Sequence, residues 1–364
     1  MKKATLISSM LTLASTAAVA GSLNLELRAD YQGTSYNDAA KAGTTGLGQD
    51  NYKFFIPIGR LDAQGKLGSA LDYRLRWRFS KPAVATSTPA NNQNDSLNDS
   101  VDFAYVSHKP MDILAVTIGK FASQVGGIEG STSGSDLFVV SPGNGGGLVN
   151  ASLAGKAYYT GAKFETTMGD HKVGLHFANA AADVTNNNNK FAQTSGYTGL
   201  VYTGSFADGM VKPTVSYHTA TNSASSALIT EKNVGTYIAA GAMVTTGNVQ
   251  VDLDLNSNTY TNGTIATNKD ALTDIVLNVG YKMDNIKPSL KYYTATETIK
   301  DATEVKYTHT GMSAVVEFKP KMDENFRYHV AYNQVNKKAD TAGYQDQTRT
   351  EVVAGVKIFA DILK

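Results

Sequence analysis

Arg74, Arg76 and Arg78 stand at alternate positions, and Leu71, Tyr73, Leu75, Trp77 and Phe79 fill the places around them. Successive side chains of an extended strand point to opposite faces, so three guanidinium groups share one face and the apolar groups share the other. Arg28 lies opposite Leu23, Leu25, Leu27 and Ala29, and Arg60 lies opposite Gly59, Leu61 and Ala63. Five of the chain's seven arginines therefore fall within three early strands. Neighbours on one strand face are about 7 Å apart, and their repulsion is roughly 0.6 kcal/mol in water and larger in a narrow channel. Nothing about sheet stability requires such a cluster.

Other chemistry finds less support. The six histidines (His108, His171, His176, His218, His309 and His329) are scattered, and the closest pair, His171 and His176, has neither strand nor helix spacing for a shared metal. Gly130–Gly134 reads G-S-T-S-G rather than G-x-S-x-G. Gly143–Leu148 departs from the dinucleotide fingerprint and Gly155-Lys156-Ala157 from the phosphate loop. The sequence implies no catalytic residue, cofactor or metal. A hydrolase whose site is assembled across strands, or an adhesin that binds through long loops, remains the alternative.

The N-terminus reads as an export signal. Lys2 and Lys3 precede an uncharged, mostly apolar stretch from Ala4 to Leu13, and Ala18-Val19-Ala20 is a small-residue cleavage site. Residues 1–20 are expected to be removed, leaving one domain over 21–364. Without those two lysines, the 33 basic residues become 31 against 32 acidic ones, which excludes the concentrated basic surface of a nucleic-acid partner. There is no cysteine, so an exported chain must hold together by packing and backbone pairing.

Alternation recurs along the whole chain. Val249, Val251, Leu253 and Leu255 interleave with Gln250, Asp252, Asp254 and Asn256. The same pattern runs through Val211–His218, Asp274–Lys282 and Phe326–Tyr332. Short polar turns centre near 69, 111, 169, 209, 247, 284 and 322. Between them lie long loops rich in Asn, Thr, Ser and Gly, such as Pro89–Asn98, Ala181–Ser195 and Asn256–Asn268. The repeat is a hairpin with a short turn at one end and a long loop at the other.

This spacing predicts sixteen strands: 22–36, 52–66, 71–80, 99–109, 113–121, 154–165, 172–179, 196–205, 211–219, 234–245, 249–256, 272–282, 286–294, 305–318, 326–333 and 349–360. The even number puts both termini at the short-turn end. A backbone group left unpaired in hydrocarbon costs several kcal/mol, so strands with an apolar outer face must close on themselves. An arginine facing lipid at mid-depth would cost about 2–4 kcal/mol, which turns all five inward. Tyr73, Tyr217, Tyr281, Tyr328 and Tyr332 fall near strand ends, where bilayer interfaces favour them. The expected fold is all-β: a transmembrane, antiparallel, up-and-down barrel.

The strand number, export signal and long loop after the fifth strand resemble the general bacterial porins over nearly the whole mature chain. The stretch Thr117-Ile118-Gly119-Lys120-Phe121, followed by Val125-Gly126-Gly127-Ile128-Glu129-Gly130, is similar to the entry of the third loop in porins, including phosphate-selective ones. The resemblance implies a homotrimeric, water-filled channel in the outer membrane of a Gram-negative bacterium, passing small hydrophilic solutes and ions by diffusion. It also implies that the third loop, about 122–152, folds into the lumen and sets the size cutoff. Glu129 and Asp136 on that loop would then face Arg28, Arg60, Arg74, Arg76 and Arg78 across a constriction, with a mild anion preference. Local neutralisation of the arginines by Glu26, Asp30 and Asp62 is the competing reading, and both can hold. One departure from the porin pattern is the C-terminus, where Phe359 is followed by Ala360-Asp361-Ile362-Leu363-Lys364. Either the last strand continues to Ile362 or a short tail follows it.

Overall fold

The computed structural model describes residues 21–42, 50–79, 101–123, 125–144, 158–178, 196–223, 232–261, 269–300, 304–320 and 325–363. The expected export signal and the loops expected at 89–98 and 181–195 lie outside these residues. Sixteen strands form one closed antiparallel barrel, each paired with its neighbours in sequence. They are β1 (Ser22–Tyr36), β2 (Asn51–Lys66), β3 (Leu71–Arg78), β4 (Val101–Met111), β5 (Leu114–Ala122), β6 (Tyr158–Met168), β7 (His171–Ala178) and β8 (Gly196–Thr203). The remainder are β9 (Val211–Ser223), β10 (Lys232–Thr246), β11 (Val249–Thr261), β12 (Lys269–Tyr281), β13 (Ile286–Lys300), β14 (Glu304–Phe318), β15 (Phe326–Ala339) and β16 (Gln347–Asp361). β1 closes on β16 with Arg28 opposite Lys357 and Leu25 opposite Ala360.

The alternation read from the sequence sorts the two faces. Leu253 and Leu255 are 44% and 49% exposed, whereas Asp254 between them is 2% exposed. The apolar side chains form the outside and the polar ones the inside, the reverse of a water-soluble sheet. Tyr217, Tyr281, Tyr328 and Tyr332 lie on the exposed outer face.

Several strands run further than alternation predicts. β11 reaches Thr261 rather than 256, β13 reaches Lys300 rather than 294, and β15 reaches Ala339 rather than 333. Beyond the apolar band both faces meet water, so the alternation fades while backbone pairing continues. β3 stops at Arg78, two residues earlier than expected. At the C-terminus β16 ends at Asp361, and the Ile362 N–H still donates to the Leu23 carbonyl at 2.9 Å.

Candidate functional site

The strand register gathers the five arginines. Glu26 of β1 pairs with Arg60 of β2, Arg60 with Arg78 of β3, and Asp62 with Arg76. Arg28 contacts Asp30 at 2.9 Å, Arg60 contacts Glu26 at 3.2 Å, and Arg74 contacts Asp62 at 2.5 Å. Asp102 of β4 is shared: Arg78 approaches it at 3.0 Å, Arg76 at 3.2 Å and Arg60 at 3.5 Å. Four carboxylates thus serve five guanidinium groups. Phe103 extends this surface, with Arg74 and Arg76 stacked over its ring at 4.3 and 3.9 Å, and Arg76 Nη2 donates to the Tyr158 hydroxyl at 2.6 Å. Planar guanidinium groups stack on rings in this way without giving up their charge.

The segment 125–144 lies against the inward side chains of strands far away in sequence. Asp254 of β11 accepts the N–H groups of Ile128 and Glu129 at 2.6 and 2.7 Å. Asp274 of β12 accepts the Gly143 N–H at 2.6 Å and is also held by Asn256. Asn333 of β15 donates to the Phe138 carbonyl at 2.9 Å, and Arg28 donates to the carbonyls of Ser135 and Leu137, each at 3.1 Å. Ser135 also donates to Glu26. The segment docks with almost no gap near Asp254: a Cβ on Gly127 or on Gly241 would overlap its carboxylate. Only glycine permits so close an approach of backbone to side chain.

Glu129 and Asp136 take partners other than the five arginines. Glu129 is bonded to Lys291 of β13, accepts the Ser141 N–H at 2.9 Å and accepts from Asn144 at 2.8 Å. Asp136 is bonded to Lys357 of β16 at 2.5 Å and lies 3.4 Å from Arg327 of β15. The sequence expectation set both acids opposite Arg28, Arg60, Arg74, Arg76 and Arg78. Among the described contacts it is instead Glu26, Asp30, Asp62 and Asp102 that meet those arginines. Burial alone would raise the Glu129 carboxyl, but the Lys291 ammonium and the Ser141 N–H outweigh it and hold it below the ordinary carboxylate range. Burial likewise opposes ionisation of Asp136, and the charges of Lys357 and Arg327 lower it overall.

A serine and a histidine do meet. Ser123 Oγ lies 2.9 Å from His176 Nδ1. The same hydroxyl bonds to Tyr197, whose own hydroxyl bonds to His218. Ser123 and His176 are 2% and 3% exposed, so the hydroxyl is enclosed by its partners rather than presented to a substrate. Among the described residues, no three His, Asp or Glu side chains are placed to hold a metal ion.

Asp102, Lys291, Lys357, Asp254 and Asp274 escaped the sequence reading. Asp102 precedes Phe103, and both are buried at a register shift between β3 and β4 that alternation does not reveal. Its role depends on β4 lying beside β3, where Arg76 pairs with Phe103. Asp254 and Asp274 looked like ordinary members of a polar strand face, since their loop partners are 125 to 131 residues away.

The sequence matches the family described as phosphate-selective porin O and P over residues 22–307. The fold is similar to an anion-selective porin from Comamonas acidovorans, with 12% identity, a TM-score of 0.64, and coverage of 94% of this chain and 100% of that one. It is also similar to the outer-membrane channel DcaP of Acinetobacter baumannii, with 13% identity, a TM-score of 0.61, and coverage of 95% and 98%. OprB of Pseudomonas putida is a third similar structure, with 11% identity, a TM-score of 0.57, and coverage of 97% and 96%. No curated protein sequence matches the chain at a significant level.

Proposed function

Since this chain belongs to the phosphate-selective porin O and P family and forms a diffusion channel of the Gram-negative outer membrane, we propose that its arginine wall makes it an anion-preferring pore. Arg28, Arg60, Arg74, Arg76 and Arg78 line the constriction in this reading, and the third-loop segment carrying Glu129 and Asp136 narrows it. The observation that carries the proposal is the sharing of Asp102 by Arg60, Arg76 and Arg78. Even with Glu26 on Arg60, four carboxylates cannot neutralise five guanidinium groups, so positive potential remains at a wall where passing solutes must lose part of their water. A fixed positive field raises the local concentration of anions and disfavours cations. Glu129 and Asp136 do not cancel that field, because lysines on other strands already neutralise them.

The resemblance to porins further supports a homotrimer, and the pattern of residues 1–20 supports a cleaved signal. Barrel-borne catalysis fits less well, given the enclosed hydroxyl of Ser123. The zero-current potential of the purified protein in a planar bilayer, under a potassium chloride gradient, tests the preference. A sign corresponding to chloride selectivity is expected. Equal permeability of the two ions, or cation selectivity, contradicts the proposal. Migration at the mass of a single chain in mild detergent would count against the trimer.

A further inference from the structure

Below the 125–144 segment, a pocket of about 510 Å³ opens toward the short turns at Gly247-Asn248 and Asp284-Asn285. It lies on the side of the barrel away from β3. Charges of both signs line it, and of these Glu129 pairs with Lys291 and Glu317 with Arg327. Asp252 of β11 is buried at one wall, held only by neutral donors: Gln250 at 2.9 and 3.0 Å and Asn278 at 2.9 Å. Among the described residues it makes no ion pair within 4 Å. On the opposite side, Lys282 and Lys287 flank the β12–β13 turn, with Glu317 of β14 in register with Lys287, and neither lysine makes an ion pair within 4 Å among the described residues. Asp136 also acts on Lys287, but its own contacts are with Lys357 and Arg327. Asp284 sits at the exposed tip of the turn. Between the charged walls, half-buried Leu137, Phe138 and Met243 line the same pocket.

We propose that this pocket is a binding subsite for small zwitterions with an apolar body, the chemistry of an α-amino acid such as phenylalanine or leucine. The ammonium group donates to Asp252, the carboxylate accepts from Lys282 and Lys287, and the side chain covers Leu137, Phe138 and Met243. A buried carboxylate with only amide partners keeps acceptor capacity for a cation. A simple anion would leave Asp252 unanswered, and a simple cation would meet the two lysines. Only a ligand bearing both charges satisfies both walls at once. The inference rests on the channel reading, because the pocket is reached through the lumen, but it does not depend on the arginine wall.

Its test is the block of macroscopic chloride conductance by solutes added at the short-turn side of bilayers holding many channels. Phenylalanine is expected to halve the conductance at a concentration at least tenfold below that of 3-phenylpropanoate, 2-phenylethylamine or glycine. Asp252→Asn should weaken phenylalanine block at least fivefold and leave 3-phenylpropanoate block unchanged. Lys282→Gln with Lys287→Gln should weaken block by both. The triple replacement of Arg74, Arg76 and Arg78 by Gln should leave phenylalanine block intact, whatever it does to ion preference. The proposal is overturned if phenylalanine does not block, if 3-phenylpropanoate blocks as well as phenylalanine, or if Asp252→Asn leaves phenylalanine block unchanged.

Discussion

The inner surface of this barrel uses acids in two opposite ways. On β1 to β4, Glu26, Asp30, Asp62 and Asp102 meet a larger number of arginines, and the surplus charge stays positive. On β11 and β12, Asp254 and Asp274 meet backbone N–H groups of the 125–144 segment and hold it in place. In the proposed function the first wall acts on what passes, though its Arg28 and Glu26 also bond to Ser135 and Leu137 of that segment, whereas the second serves to position the loop. Both follow from one alternation of polar and apolar residues, so the difference lies in what each inward carboxylate finds opposite it.

Removing Lys291 should strain the comparison most. Lys291→Met leaves the buried Glu129 carboxylate without its cation, and breaking one partner of a buried pair costs about 3–5 kcal/mol. The expected result is a channel with intact sheet content but noisy current and a 125–144 segment open to protease. Quiet current and an uncut segment would show that the loop does not depend on this pair. Asp254→Asn should have a smaller effect of the same kind. It weakens two charge-assisted hydrogen bonds without deleting them, a loss bounded by the about 1.5–3 kcal/mol typical of each such bond. Ion preference should stay as it was in both variants.

Acidification sharpens the contrast. Glu129 and Asp136 are held below their ordinary carboxylate values. The stability they lend is therefore fully present above about pH 4 and is lost as pH falls through the lowered values. Current noise should rise only under those acidic conditions, and loosening near pH 6 would contradict the assignment. The smallest effect belongs to Lys41→Gln. The Lys41–Asp50 contact at 2.8 Å is open to solvent outside the strands, so conductance and thermal stability should not change measurably.

Much of this architecture was legible in residue order. The alternation around Arg74, Arg76 and Arg78 gave a strand and the face of each side chain, because lipid tolerates none of the three. The first strand, Ser22–Tyr36, was bounded correctly at both ends. The partners were harder to read. Whether Arg76 meets Asp102 or Glu129 depends on strand register and on the path of a glycine-rich segment, and neither leaves a periodic trace. Asp254 carried no mark in the sequence to separate it from Asp252, two residues away on the same face. One anchors the loop, and the other is held by Gln250 and Asn278. The difference is made by the approach of Gly127.

The central claim is that surplus charge on β1 to β4 sets ion preference, while charge elsewhere in the lumen holds structure. It is tested most directly by the zero-current potential of the Arg74→Gln, Arg76→Gln, Arg78→Gln triple variant under a potassium chloride gradient, read beside the unmodified channel. The account predicts that chloride preference disappears or reverses while open-channel current stays steady. An unchanged potential in a properly inserted variant would contradict it.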